Sequence, residues 1–543
     1  MMCRPGAKSS ARLLLCGLVL TAAGFAQNRP ASTGSSGPYR IEGVLTNSLT
    51  GEPVRRAVVE ALNNQDNHAV ASCVTDNDGR FALDHLAADK YNLTASKRGF
   101  RTAAYNEHDE FASAIVTGSD QDTSHLQFKI NPQSILRGVV TDEAGEPVAG
   151  ARIMLFKRPK HAESGERIVQ AETTIADDTG AYEFGNLAAG EYLMAVIGDP
   201  WYAVHEGIPA KRNPALDVVY PVTYFDSTTD EASATPIVLA GGSHVEANLS
   251  LLAVHALRIS IAVPRKPDES LARPELQQTV FGTSISSESA GFIDALQTGS
   301  VEMDGIAPGH YQLTQGDPPR VTDLDLSASQ QVDPDAGIPA NAVAGRIRML
   351  SGAPAPDEVT LSLERVDNIP GQSIIATSAG KGRFTFDTVP PGRWAVSATA
   401  GNEAIPVISV GAGAAQEPGN VVTLKDHSPH LVVTLSDFAI DVKGFAKMDG
   451  KGFAGAMIVL LPRNPALWRS MTRRDQSDSD GSFALHSVSP GDYALIAIAD
   501  GWELDWTNPD TMARYLSRGT NVRVTESSGK LVELGAPVTV QQR

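Results

Sequence analysis

Trp502-Glu503-Leu504-Asp505-Trp506 places two indoles and two carboxylates within five consecutive residues. Sugar rings have apolar faces that stack on Trp and Tyr, and hydroxyls that bind carboxylates. Trp502, Trp506, Glu503 and Asp505 therefore form a candidate carbohydrate-binding group. A second aromatic group is Trp201-Tyr202, with Tyr224 further on. The same rings have a plainer use. They can close the open end of a core and pack a following helix, and this reading weighs more because aromatic side chains bury large areas wherever they can.

Other chemistry is hard to find. His108-Asp-Glu110, His161-Ala-Glu163 and His244-Val-Glu246 each fall one residue short of the His-x-x-Glu spacing of a metallopeptidase zinc pair, and no HExxH occurs. Asp76-Asn77-Asp78-Gly79 and Asp478-Ser479-Asp480-Gly481 faintly resemble calcium loops. The closing bidentate Glu would fall at Ala87 and Ser489. Both stretches are ordinary hairpin turn chemistry. No GxSxG elbow, phosphate loop or dinucleotide fingerprint is present. No catalytic, cofactor-binding or metal-binding residue is assigned, no cofactor is expected, and the chain is not expected to be an enzyme. A hydrolase assembled from scattered residues remains an alternative that motifs cannot address.

The formal charge of −18 without a basic tract argues against nucleic acid as a partner. The N-terminus reads as a signal peptide over residues 1–26. Arg4, Lys8 and Arg12 precede the apolar run Leu13–Gly24, and Gly24-Phe25-Ala26 gives small residues at the cleavage positions. The expected mature chain is exported, to the periplasm or beyond, with cleavage near Ala26 and no membrane span. Cys3 and Cys16 would leave with the leader. The remaining Cys73 has no partner for an internal disulfide, so stability must come from cores.

The elements that would position any site are repeats. DGRFALDHLAADKYNL, TGAYEFGNLAAGEYLM, KGRFTFDTVPPGRWAV and DGSFALHSVSPGDYAL share one skeleton, and SVEMDGIAPGHYQL is a weaker copy. Phe81 and Tyr91, Tyr182 and Tyr192, Phe384 and Trp394, Phe483 and Tyr493, and Val301 and Tyr311 are each ten residues apart. Copies recur every 83 to 119 residues, which is domain size and too long for a solenoid. Alternation of period two around a Gly-containing turn predicts paired antiparallel strands. An upstream strand–turn–strand signature, such as ILRGVVTDEAGEPVAGARIMLF, recurs with it. Each unit of seven or so short strands predicts a β-sandwich.

GVVTDEAGEPVAGARIML followed by DDTGAYEFGNLAAGEYLMAV resembles the carboxypeptidase regulatory-like domain, a transthyretin-like, carbohydrate-binding-like β-sandwich. The first and second copies match both halves of that pattern, the fifth matches well in its second half, the fourth is recognisable, and the third keeps little beyond its last strand pair. The resemblance implies an accessory domain of bacterial exported type and not the catalytic one.

The expected fold is therefore all-β, a tandem rod of about five transthyretin-like or Ig-like sandwiches. A disordered segment at 27–37 precedes sandwiches at 38–131, 132–254 (with linker strands), 255–337 (degenerate), 338–436 and 437–543. One short helix is predicted near 508–518, with Asn508 as its cap and Pro509 in its first turn. The expected function is binding or scaffolding without catalysis, with polysaccharide the ligand named first. Adhesion to, or assembly with, envelope proteins is the alternative.

Overall fold

The computed structural model describes residues 37–543, apart from short internal stretches at 159–167, 206–212, 263–273, 287–290, 294–299, 317–318, 367–372, 379–380, 402, 413–415, 426–429 and 507. The expected leader, its cleavage point near Ala26, nearly all of segment 27–37, and His161-Ala-Glu163 lie outside the described residues.

The first sandwich sets the pattern. Its strands are β1 (Tyr39–Asn47), β2 (Val58–Asn63), β3 (Ala69–Val74), β4 (Arg80–Leu86), β5 (Lys90–Ser96), β6 (Ala103–Ala104), β7 (Ile115–Val116) and β8 (Leu126–Ile130). One sheet runs β4-β1-β8. The other runs β3-β2-β5, with β6 and β7 both paired to β5. β1 is antiparallel to β4, with Gly43 opposite Phe81, and parallel to β8, with Leu45 opposite Phe128. Alternation turns Tyr91, Leu93 and Ala95 of β5 inward, where they meet Ile41, Leu45, Phe81 and Phe128.

The same core topology recurs four times. Strands 134–141, 257–262, 341–349 and 440–448 each lie between an antiparallel neighbour and a parallel one. The third sandwich keeps this arrangement although its sequence is the most degenerate. Separate cores fill each unit, running from Ile41 to Ile130, Leu136 to Leu251, Ile259 to Val332, Val343 to Leu435 and Ile440 to Val540.

All the spaced aromatics of the repeat are buried. The second ring of each pair also turns its polar tip back to the chain. Tyr91, Tyr192, Tyr311 and Tyr493 donate their hydroxyls to the carbonyls of Ala87, Ala188, Ala307 and Ser489 at 3.2, 3.0, 2.9 and 2.6 Å. Trp394 donates its indole N–H to Pro390 O at 3.1 Å. The fixed position thus needs a large ring with a donor at its tip, which satisfies a carbonyl four residues upstream in the turn.

The helix forms at Pro509–Leu516. Asn508 accepts from the Asp510 and Thr511 amides, and Met512 and Tyr515 are buried. A short helical turn, Trp468–Met471, lies in the insertion of the fifth sandwich. Among the described residues no helix is long and apolar enough to cross a membrane.

Contacts also join sandwiches to one another. Residues 105–117 of the first pack against residues 474–506 of the fifth, as the ring and hydrogen-bond contacts below establish. The second and third share an apolar seam in which Phe281 meets Phe156 and Tyr224 edge-on, at centroid distances of 5.1 and 5.0 Å.

Candidate functional site

The densest cluster of rings, charges and buried polar groups lies where the first and fifth sandwiches meet. It is built on a turn that the repeat writes several times. At Asp76, Asp177 and Asp478 the backbone closes in the same way. The glycine N–H three residues on donates to the aspartate carbonyl at 3.2, 3.0 and 2.8 Å. Gly79, Gly180 and Gly481 have φ of +71°, +73° and +83°, and a Cβ there would strike the carbonyls of Leu45, Val140 and Ala446.

The side chains differ. Asp76 Oδ1 accepts from the Asp78 and Arg80 amides at 2.9 and 2.8 Å. Asp177 Oδ1 likewise accepts from Thr179 and Ala181 at 2.8 and 3.0 Å. These are self-contained Asx turns. Asp478 instead faces the first sandwich. Its Oδ1 accepts from the Ala114 amide at 2.9 Å, and its Oδ2 accepts from Lys90 Nζ at 2.6 Å. Asp480 takes over the local role, accepting from the Ser482 amide at 2.8 Å.

Further bonds flank this pair. Ser479 N–H donates to Ala114 O at 3.0 Å, and its hydroxyl accepts from Val116 N–H at 2.8 Å. Ser113 donates to Ser477 O at 2.9 Å. Gln476 Nε2 donates to Asn106 O at 2.6 Å and to Ser113 Oγ at 2.9 Å. Ser113, Gln476, Ser477 and Asp478 are all buried, so each polar atom needs such a partner. Burial pushes the Asp478 carboxyl up from its ordinary pKa, and the Lys90 ammonium opposes that.

Rings complete the contact. His108 stacks on Trp502 at 5.3 Å with planes 8° apart, and Phe111 leans on the same indole at 5.6 Å. Trp502 donates its indole N–H to Gly455 O at 3.1 Å. The Arg474 guanidinium lies over Trp506 at 4.6 Å and over Phe111 at 5.2 Å, with Asp109 3.4 Å from it.

The sequence-predicted residues fall in three separate places. Trp502 and Trp506 pack beside the core that holds Met512 and Tyr515, as the packing reading expects, and their outer faces meet His108, Phe111 and Arg474. As a free stacking platform this pair is therefore corrected, because first-sandwich side chains and Arg474 occupy its faces. Glu503 is exposed and Asp505 half-buried beside them. Tyr224, the further member of the second aromatic group, is buried. It is 4% exposed in the seam between the second and third sandwiches, and its hydroxyl donates to Glu231 Oε2 at 3.2 Å. Trp201, by contrast, is 84% exposed. Tyr202 stands edge-on to it at 5.8 Å and donates to Glu143 at 3.5 Å.

Sequence reasoning missed Lys90, His108, Phe111, Arg474 and Gln476 as a group. Two motifs set aside, His108-Asp-Glu110 for its spacing and Asp478–Gly481 for its missing closing Glu, prove to face each other across this contact. Among the described residues no three His, Cys, Asp or Glu gather as a metal site would need.

Residues 40–130 and 135–214 match the model of the carboxypeptidase regulatory-like domain in two tandem copies. Colossin-A of Dictyostelium discoideum is 21% identical over 520 residues, covering 81% of this chain and 4% of that one. The chain thus spans a small fraction of the curated relative it matches. Among solved structures, the Bacillus anthracis TIE protein aligns with 90% of this chain and 67% of its own, at 9% identity and a TM-score of 0.16. A streptococcal ancillary pilin aligns with 73% of this chain and 99% of its own, at 10% identity and a TM-score of 0.17. The major pilin subunit of Bacillus cereus aligns with 76% and 99%, at 13% and 0.14.

Proposed function

We propose that this chain is a non-enzymatic, exported scaffold that docks an extended segment of a partner protein against a sheet edge. The carrying observation is the strand Val169–Ile175 of the second sandwich. It is the outer strand of its sheet, bonded on one side to Arg152–Lys157, and all its residues but Thr174 are exposed. Val169 and Ile175 stand 56% and 65% exposed on it. Such an edge presents unpaired backbone groups to a strand from another chain. The corresponding strand of the fifth sandwich, Arg473–Gln476, is already an internal docking surface, carrying Arg474 and Gln476 to the first sandwich. The richest side-chain cluster serves the same end, joining one sandwich to another.

The test places a photo-activatable cross-linking residue at Thr173 of the full chain in its native cell envelope, with a control at exposed Arg518. Discrete protein adducts at Thr173 alone are expected. Adducts at neither position, or equally at both, would sink the edge-docking reading.

Trp201 favours a second reading, retention on polysaccharide through one exposed ring with Tyr202 and Glu143 beside it. Retention on insoluble glycans that disappears in Trp201→Ala would support it.

A further inference from the structure

The seam between the second and third sandwiches holds a cleft of about 420 Å³, a size ordinary for small-molecule sites, which favour domain junctions. Its walls carry amides and hydroxyls, from Gln277, Gln278, Gln312, Thr229, Thr279 and Ser284, beside apolar groups such as Val222 and Pro308. Tyr224 and Tyr311 also line it. Their rings are buried, and their hydroxyls are already committed to Glu231 and to Ala307 O. The Phe281 seam beneath fixes one sandwich against the other, so the cleft is formed before any ligand arrives.

Charge and hydrogen-bonding capacity narrow the ligand. None of the described lining residues is Lys or Arg, and the ring of His310 is bonded to Asp325 at 2.7 Å, while Asp230, Glu231 and Asp323 are present, so an anion is disfavoured. Those carboxylates already have work within the protein. Glu231 accepts from the Phe281 amide at 2.8 Å, Asp230 caps the turn at 231–233, and Asp323 accepts from Gln312 at 3.2 Å. Gln277 is bonded to Glu275 and Ser284. Among the described residues the side chains of Gln278, Thr279 and Thr229 have no protein partner. Gln278 also lines an adjoining cavity of about 370 Å³. A carboxamide and two hydroxyls, all able both to donate and to accept, match groups that do the same.

We propose that this cleft binds a neutral, hydroxyl-rich small molecule of mono- to disaccharide size, with Gln278 as the central contact. This site is distinct from the strand edge at Val169–Ile175 and from the exposed ring of Trp201.

Saturation-transfer NMR and calorimetry on the full chain would use maltose, cellobiose and di-N-acetylchitobiose as probes. Digalacturonate would test anions, and spermidine would test cations. The expected result is binding of at least one neutral disaccharide, weakened tenfold or more by Gln278→Ala, with unchanged melting and no effect of Trp201→Ala. A second variant, Thr279→Val, removes one hydroxyl at constant shape and should weaken binding severalfold. The proposal is overturned if no neutral disaccharide binds, if digalacturonate or spermidine binds in preference, or if binding survives both cleft variants. None of these outcomes depends on cross-linking at Thr173, so this site and the edge-docking reading fail separately.

Discussion

In the second sandwich the Asp177 carboxylate curls back onto the amides of its own turn. In the fifth, with the same backbone closure, Asp478 reaches across to Ala114 and Lys90. The turn is one element with two uses, and the neighbour decides which. The difference needed only a substitute at Asp480 to hold the local amide and a partner surface within reach. A repeated scaffold can thus acquire a contact between domains without altering its core.

The largest expected effect tests what the two sandwiches share. Tyr192→Ala and Tyr493→Ala each empty a buried ring site and release the carbonyl it satisfied. Each should destabilise its own sandwich by about 3–5 kcal/mol. Calorimetry of the two variants should show comparable losses in different transitions; an unmoved transition would undo the equivalence of the cores.

The aspartates should then separate the uses. Asp478→Ala leaves the Ala114 amide without its acceptor and Lys90 without its carboxylate, with only Ser482 Oγ still accepting from it, and should weaken the contact between first and last sandwiches by about 1–3 kcal/mol. Hydrogen exchange at Ala114 and Val116 should accelerate. Asp177→Ala should cost about 1 kcal/mol within its own turn and leave those amides alone. Equal acceleration in both variants would erase the distinction.

A smaller, pH-dependent effect belongs to the fifth sandwich. Burial pushes the Asp475 carboxyl up to about 6, against the pull of the Ala484 and Gln476 amides. Below its unfolded value near 3.8 both states hold the proton, and its contribution to stability is fully present. Between about 4 and 6 the unfolded chain releases the proton and the folded one keeps it, so stability falls as pH rises through that window. Asp475→Asn should flatten this slope and raise the melting temperature above pH 6. A slope unchanged in thermal scans from pH 4 to 8 would rule Asp475 out as its source.

Smallest of all, Trp201→Ala should change stability by no more than about 0.5 kcal/mol, since the ring is 84% exposed. A larger loss in chemical denaturation would place that ring in packing, as with Trp502.

Much of this architecture was legible because it is local. The ten-residue spacing of the rings, the period-two strands, and the Asn508-Pro509 helix start each depend on residues close in sequence. The return bond from each second ring to the carbonyl four residues before it was equally local. It is inconspicuous in the sequence because the apolar body of Tyr and Trp fits the period-two pattern whether or not the tip carries a donor. The third sandwich shows the opposite lesson, since its strand order survives with few of the motif residues in place. The contact between first and fifth sandwiches was not legible. Nothing near His108 signals an indole at residue 502, and Asp478 reads like Asp76 until a neighbour is brought to it. The ring that stacks on Trp502 is an imidazole of the same chain.

Hydrogen bonds across the seam between the first and fifth sandwiches join residues 363 to 392 positions apart. A chain is made from its N-terminus, and domains tend to fold as they emerge. The first sandwich can bury its own core early. The edge at Ser113–Val116 must then wait, its amides bonded to water, until three further sandwiches and the Asp478 turn exist. The order of synthesis thus leaves one early-folded face open until the fifth sandwich, made later, closes it.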